Sequence, residues 1–166
     1  MVKAIVIGVE AYPDIPDGAA FNKNVSGAVA EALDFYAWLV EFGAARKKAG
    51  APIEWIEEDE IALHLSPPTG SPPSAHPRAK PATAKAIKDS FKELRQAAGK
   101  VQRVFVYFNG HGFSATTSFN GSTTDYIACA DFATAEDLTA AIRIDRIKEY
   151  LAFMGPCEQY FFFDCC

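Results

Sequence analysis

Residues 104–113 read VFVYFNGHGF. Five β-branched and aromatic residues in a row mark a strand buried on both faces, and the run stops at a histidine held between two glycines. Gly110 and Gly112 let the backbone beside His111 approach another group closely and free its amides to point at it. Residues 158–166, EQYFFFDCC, repeat the plan, with an aromatic strand running into Asp164, Cys165 and Cys166. In sheets built from parallel strands the reactive groups gather at the strands' carboxyl ends. The spacing predicts His111 just past one such end and Cys166 just past another.

The rest of the chain predicts the sheet these two strands need. VKAIVIGV, near the N-terminus, is another doubly buried strand, and Pro13, Pro16 and Gly18 mark a loop after it. Ser26 is placed to cap a helix over 26–48, with Val29, Leu33, Tyr36 and Val40 at helical spacing. Ile61, Leu63 and Leu65 alternate as a strand. Residues 66–82 hold six of the ten prolines and read as a long surface loop with no regular element. Thr83 caps a second helix to about residue 98, with Ile87, Phe91 and Leu94 on one face. Residues 109–125 read as a polar, glycine-rich loop, YIACA as a brief strand, and a third short helix starts at Asp145. The order strand, helix, strand, helix, strand, helix, strand predicts one α/β domain over 1–166, a mostly parallel sheet with helices on both faces.

The net charge of −5 without a basic block argues against a nucleic-acid partner. No apolar run is long enough for a membrane span, and Glu10 breaks the first one too early for a signal peptide, so the expected location is cytoplasmic. Cys129, Cys157, Cys165 and Cys166 have neither C-x-x-C pairing nor metal-ligand spacing with the histidines, so no metal is expected. Each cysteine is then a small core residue or a nucleophile. Taken singly, a loop histidine is usually a surface residue and a strand-end cysteine usually core. Both together at strand carboxyl ends favour chemistry: Cys166 as nucleophile, His111 as acid and base, and the amides of Gly112 and Cys166 as oxyanion donors. His64 and His76 are assigned no chemistry.

These stretches resemble the caspase-like cysteine peptidases, the clan of caspases, metacaspases, paracaspases and bacterial relatives, CHAT-type members included. AIVIGVEAYPDIP is similar to the first strand and its loop, SGAVAEALDFYAWLVE to the first helix, VFVYFNGHG to the His-Gly motif and YFFFDCC to the Asp-x-Cys strand end. Cys166 follows His111 by 55 residues, against about 50 in caspases. The resemblance implies a cysteine endopeptidase with a His111–Cys166 dyad and no cofactor. It makes Cys165 a packing residue and Asp164 the pocket carboxylate that favours Arg or Lys before the scissile bond, and Asp14, with Asp17, is a further candidate for that pocket. It also implies a substrate-binding loop and at least two more strands past the nucleophile. On that reading the chain is a large-subunit half, expected to be inactive alone. Its partners are a protein or peptide substrate and the remaining C-terminal portion or a regulatory chain. Bacterial relatives often act in signalling or defence.

Two rivals stand beside this reading. A catalytically idle caspase-like scaffold has no reason to retain both His-Gly and Asp-x-Cys. A nucleotide-binding α/β domain would need a glycine-rich phosphate loop, which is missing.

Overall fold

The central sheet is built from five parallel strands in the order β3-β2-β1-β4-β8: β1 (Val2–Val9), β2 (Ile61–Ser66), β3 (Lys80–Pro81), β4 (Arg103–Asn109) and β8 (Glu158–Asp164). The computed structural model describes residues 1–50, 56–67, 76–116 and 121–165. Cys166 and the middle of the proline-rich stretch therefore lie outside the described residues, as do residues 51–55 ahead of β2. Helix α1 (Ala28–Lys48) covers one face; α2 (Ala84–Gln96) and α3 (Ile144–Ala152) cover the other. The expected α/β architecture is the observed one.

Strand pleating divides β1 between two cores. Val2, Ala4 and Val6 pack with Ala32, Tyr36 and Leu39 of α1, while Ile5, Ile7 and Val9 pack with Ile87, Phe91 and Leu94 of α2. That is why β1 and β4 are apolar at nearly every position. Gly8 is required by closeness: a Cβ there would lie 2.7 Å from both the Ala28 carbonyl oxygen and the Ala32 Cβ. Thr83 caps α2 by accepting the Ala86 amide, as its sequence indicates.

Four local expectations differ from the fold. Gly27, not Ser26, precedes α1, and the Glu10 carboxylate accepts the Gly27 and Val29 amides there. An anion at the positive end of the helix dipole does the work assigned to the serine hydroxyl. The buried face of α1 runs through Ala28, Ala32, Tyr36, Leu39 and Gly43, leaving Val29, Leu33 and Val40 at its margin. Within 66–82, Lys80 and Pro81 pair with His64 and Leu65 as an edge strand, where proline's missing N–H faces away from the ladder. Within the expected polar loop, β5 (Gly112–Thr116) pairs antiparallel with β6 (Thr123–Ala128), and β7 (Ala141–Arg143) completes a second, three-stranded sheet.

The last strand is half exposed rather than buried. Phe161 and Phe163 pack against the core, whereas Tyr160 and Phe162 are 42% and 41% exposed on the α1 face. There Tyr160 stacks on Phe105 and Phe162 contacts Phe35, beside a 45%-exposed Trp38. Among the described residues, β8 has no neighbour on its outer edge.

Candidate active site

The parallel register aligns the strand ends. Gly8 pairs with Asn109, Asn109 with Asp164, and the Gly110 amide donates to the Asp164 carbonyl. The segment carrying His111 and the segment leading to Cys166 thus leave the sheet from neighbouring strands at the same end. No contact of Cys166 is described, so the geometry of the site is that of its surroundings.

His111 is fixed from several sides. Its backbone N–H donates to the Tyr12 hydroxyl at 2.6 Å, and its carbonyl accepts the Ala128 amide at 2.9 Å. Its ring lies 4.8 Å from the Tyr12 ring and edge-on to Phe21 at 5.6 Å. Nε2 is 2.7 Å from the Asn22 carbonyl oxygen. A carbonyl can only accept, so Nε2 donates there and Nδ1 is the nitrogen left to exchange a proton. Tyr12 is fully buried, and burial pushes its hydroxyl well above the usual tyrosine range, so it stays protonated. Gly110 runs past that hydroxyl with φ 157°; a Cβ would lie 2.6 Å from it.

The Ala128–His111 bond also orients Gly112. It makes Gly112 and Ile127 a non-hydrogen-bonded pair, in which the Gly112 N–H points away from β6. Among the described residues β5 is an edge of the smaller sheet, so that buried amide has no partner strand on its other side.

A pair of carboxylates stands at the same end of the main sheet. The Asn109 side-chain amide donates to Glu31 Oε2 at 2.5 Å and reaches Asp164 Oδ2 at 3.4 Å. Tyr107 lies close to this group, and the Asn109 amide partly opposes the rise in its pKa. Its hydroxyl is pushed upward first by burial, with the Glu31, Asp164 and Asp34 charges adding to it. No ion pair to Glu31, Asp34 or Asp164 is formed among the described residues. The site is therefore an anionic corner held together by one neutral amide. Glu31 was not singled out by sequence reasoning; it sits in the first turn of α1, where an acidic residue ordinarily serves the helix dipole. Asp14 is exposed in the turn after β1, and Asp17 pairs with Lys23.

The other candidates separate cleanly. Cys129 is buried, and burial, then the Asp131 charge, pushes its thiol far up, as befits a core residue. Cys165 packs partly buried against the larger core, in keeping with a packing role. His64 is fully buried. Its Nδ1–H donates to the Pro81 carbonyl and its Nε2 accepts from the Ser90 hydroxyl, tying β2 to β3 and α2. No helix among the described residues is long and apolar enough to cross a membrane.

Comparison with known proteins agrees with this geometry. The family model of the caspase domain matches residues 1–166. A probable protease of a Desulfuromonadales bacterium is 28% identical over 165 residues, which are 98% of this chain and 18% of that protein. A crystal structure of a Geobacter sulfurreducens protein superposes with a TM-score of 0.66 at 15% identity, covering 99% of this chain and 50% of that one. The chain thus spans less than a fifth of the curated relative and half of the solved structure. The full-length family match, carried on a parallel α/β sheet with His-Gly and Asp-x-Cys segments at adjacent strand ends, shows that the chain belongs to the caspase-domain family.

Proposed function

We propose that this chain supplies the catalytic half of a cysteine endopeptidase that cuts after a basic residue. The observation that carries the specificity is the Glu31–Asn109–Asp164 corner: two carboxylates with no ion-paired cation among the described residues, at the strand ends from which the His111 and Cys166 segments depart. A guanidinium is the complement of such a corner, able to bridge both carboxylates with charge-assisted hydrogen bonds.

In the proposed reaction the Cys166 sulfur, deprotonated, attacks the carbonyl carbon of the residue held by this corner. The carbonyl oxygen becomes an oxyanion, received by the Gly112 and Cys166 amides. His111, with Nε2 held by Asn22, uses Nδ1 to carry the thiol proton and deliver it to the leaving amine as the C–N bond breaks. Water, deprotonated by the same nitrogen, then hydrolyses the thioester and restores the thiol.

The partner reading extends this. The open edge of β8 and the exposed Trp38, Tyr160 and Phe162 are surface that the remainder of the peptidase domain or a regulatory chain would cover, completing the substrate pocket. Free thiols at Cys129 and Cys157 fit a cytoplasmic, reducing setting.

The test is a panel of fluorogenic peptides that differ only at the residue before the cut, run on the complete protein and on Glu31→Gln and Asp164→Asn. Arg and Lys peptides should dominate. Each variant should lose about ten- to a hundredfold in kcat/KM on the Arg peptide, the scale of one partly buried charge-assisted contact. Wild-type preference for Asp or a large apolar residue would overturn the specificity.

A further inference from the structure

On the face of the sheet away from α1, α2 and α3 stand apart over the smaller sheet and leave a groove of about 530 Å³. That is within the range of small-molecule sites, about 300–1,000 Å³. Phe91, Ile147 and Ile142 line it from α2, α3 and β7, Tyr126 of β6 adds a ring, and Leu138 and Tyr150 flank it. Among the described residues, none assigned to catalysis or to the carboxylate corner lines it.

The polar lining has one sign. Lys88 and Lys92 lie on α2 at i and i+4 around Phe91, Arg143 closes β7, and Arg146 opens α3. Among the described residues these four cations line the groove with no carboxylate, in a chain whose net charge is −5. Three are partly neutralised from outside the groove: Lys92 by Asp89, Arg143 by Asp145 and Arg146 by Glu149. Lys88 instead donates to the Thr139 carbonyl at 3.1 Å and forms no ion pair among the described residues. It stands at the groove's edge without a paired carboxylate among the described residues.

We propose that this groove binds a small amphiphilic anion: an apolar body, a pair of rings or a short acyl chain, bearing a single carboxylate, sulfonate or phosphate. The apolar walls demand the body. One unneutralised cation with three partly neutralised ones matches a single anionic group, whereas a polyphosphate would need more free charge than the groove offers. The site is independent of the peptidase reading, because neither its residues nor its charge enter the proposed reaction.

The experiment is a fluorescence titration of the complete protein with anilinonaphthalene sulfonate, followed by displacement with decanoate or decylamine. It is run on wild type, on the Lys88→Gln/Arg146→Gln double variant and on Trp38→Ser, which alters the competing exposed aromatic face. Both cations are at the surface, and a melting temperature within about 2 °C of wild type establishes that the double variant is folded. The expected result is saturable one-to-one binding at about 1–100 µM, weakened at least tenfold in the double variant and unchanged in Trp38→Ser. Decanoate should displace the probe and decylamine should not. Equal binding in the double variant, loss in Trp38→Ser instead, or equal displacement by decylamine overturns the proposal. Phosphatidylglycerol vesicles and an acidic amphipathic peptide are titrated in parallel, and binding seen only to one of these overturns the proposal as well.

Discussion

Removing one oxygen atom from Tyr12 tests how the fold holds His111. Tyr12→Phe keeps the buried ring in place and deletes the acceptor that takes the His111 N–H at 2.6 Å. The same hydroxyl lies 3.5 Å from the Ala128 carbonyl, the residue whose amide holds His111 from the other side. The variant thus leaves a partly buried donor unsatisfied, which costs about 1–3 kcal/mol. For a domain of this size that lowers the melting temperature by about 2–10 °C. The second consequence is catalytic. His111 keeps its Nε2 contact with Asn22 but loses a backbone anchor, and a drift approaching 1 Å costs up to about a hundredfold in rate. The assay is a thermal melt paired with kcat and KM on an Arg peptide, with Tyr160→Phe as an exposed control. The expected pattern is a lower melting temperature, kcat reduced about tenfold or more, and KM and peptide preference unchanged, since the Glu31–Asp164 corner is untouched. A Tyr12→Phe protein that melts within 1 °C of wild type and keeps its kcat refutes the reasoning.

Two further outcomes follow from the packing and the buried histidine. Gly8→Ala places a methyl 2.7 Å from the Ala28 carbonyl oxygen and the Ala32 Cβ, so β1 or α1 must shift, at about 1–3 kcal/mol; a denaturant midpoint equal to wild type would show the contact is softer than it looks. Burial, partly opposed by the Pro81 hydrogen bond, holds the His64 pKa below its usual 6.5, so the neutral form stabilises the fold fully above that pH and the benefit fades as pH falls toward the folded-state value. The stability gap between wild type and His64→Gln should therefore narrow from pH 7 to pH 5, and a constant gap would contradict the assignment.

How much of this was legible in the sequence follows from where each signal resides. β1 and β4 stand out because burial on both faces makes them apolar at almost every position, and α2 because Thr83 caps it locally. The smaller sheet is only half visible: YIACA marks the buried end of β6, whereas GFSAT and the TTD that opens β6 are polar or small over most of their length, and pairing with each other makes them strands. The exposure of β8 is hidden because both of its faces carry aromatics, so no alternation of polarity reports which one is open. The cap of α1 and the partner of Asp164 are non-local. Glu10 reaches residues 17 and 19 positions away, and Glu31 meets Asn109 across 78. Residue type could place His111 and Asp164 at strand ends; only the fold could add Tyr12, Asn22 and Glu31 around them.

The claim that most needs a direct measurement is that Cys166, assisted by His111, is the nucleophile. The complete protein, treated with a peptidyl chloromethyl ketone ending in Arg and digested for mass spectrometry, reports which sulfur is alkylated. The account predicts a single adduct on Cys166 in wild type, with labelling slowed at least a hundredfold in His111→Ala and native Cys129 unlabelled because it is buried. Adducts spread over Cys157 and Cys165, or a Cys166 adduct that forms as fast without the histidine, would contradict it.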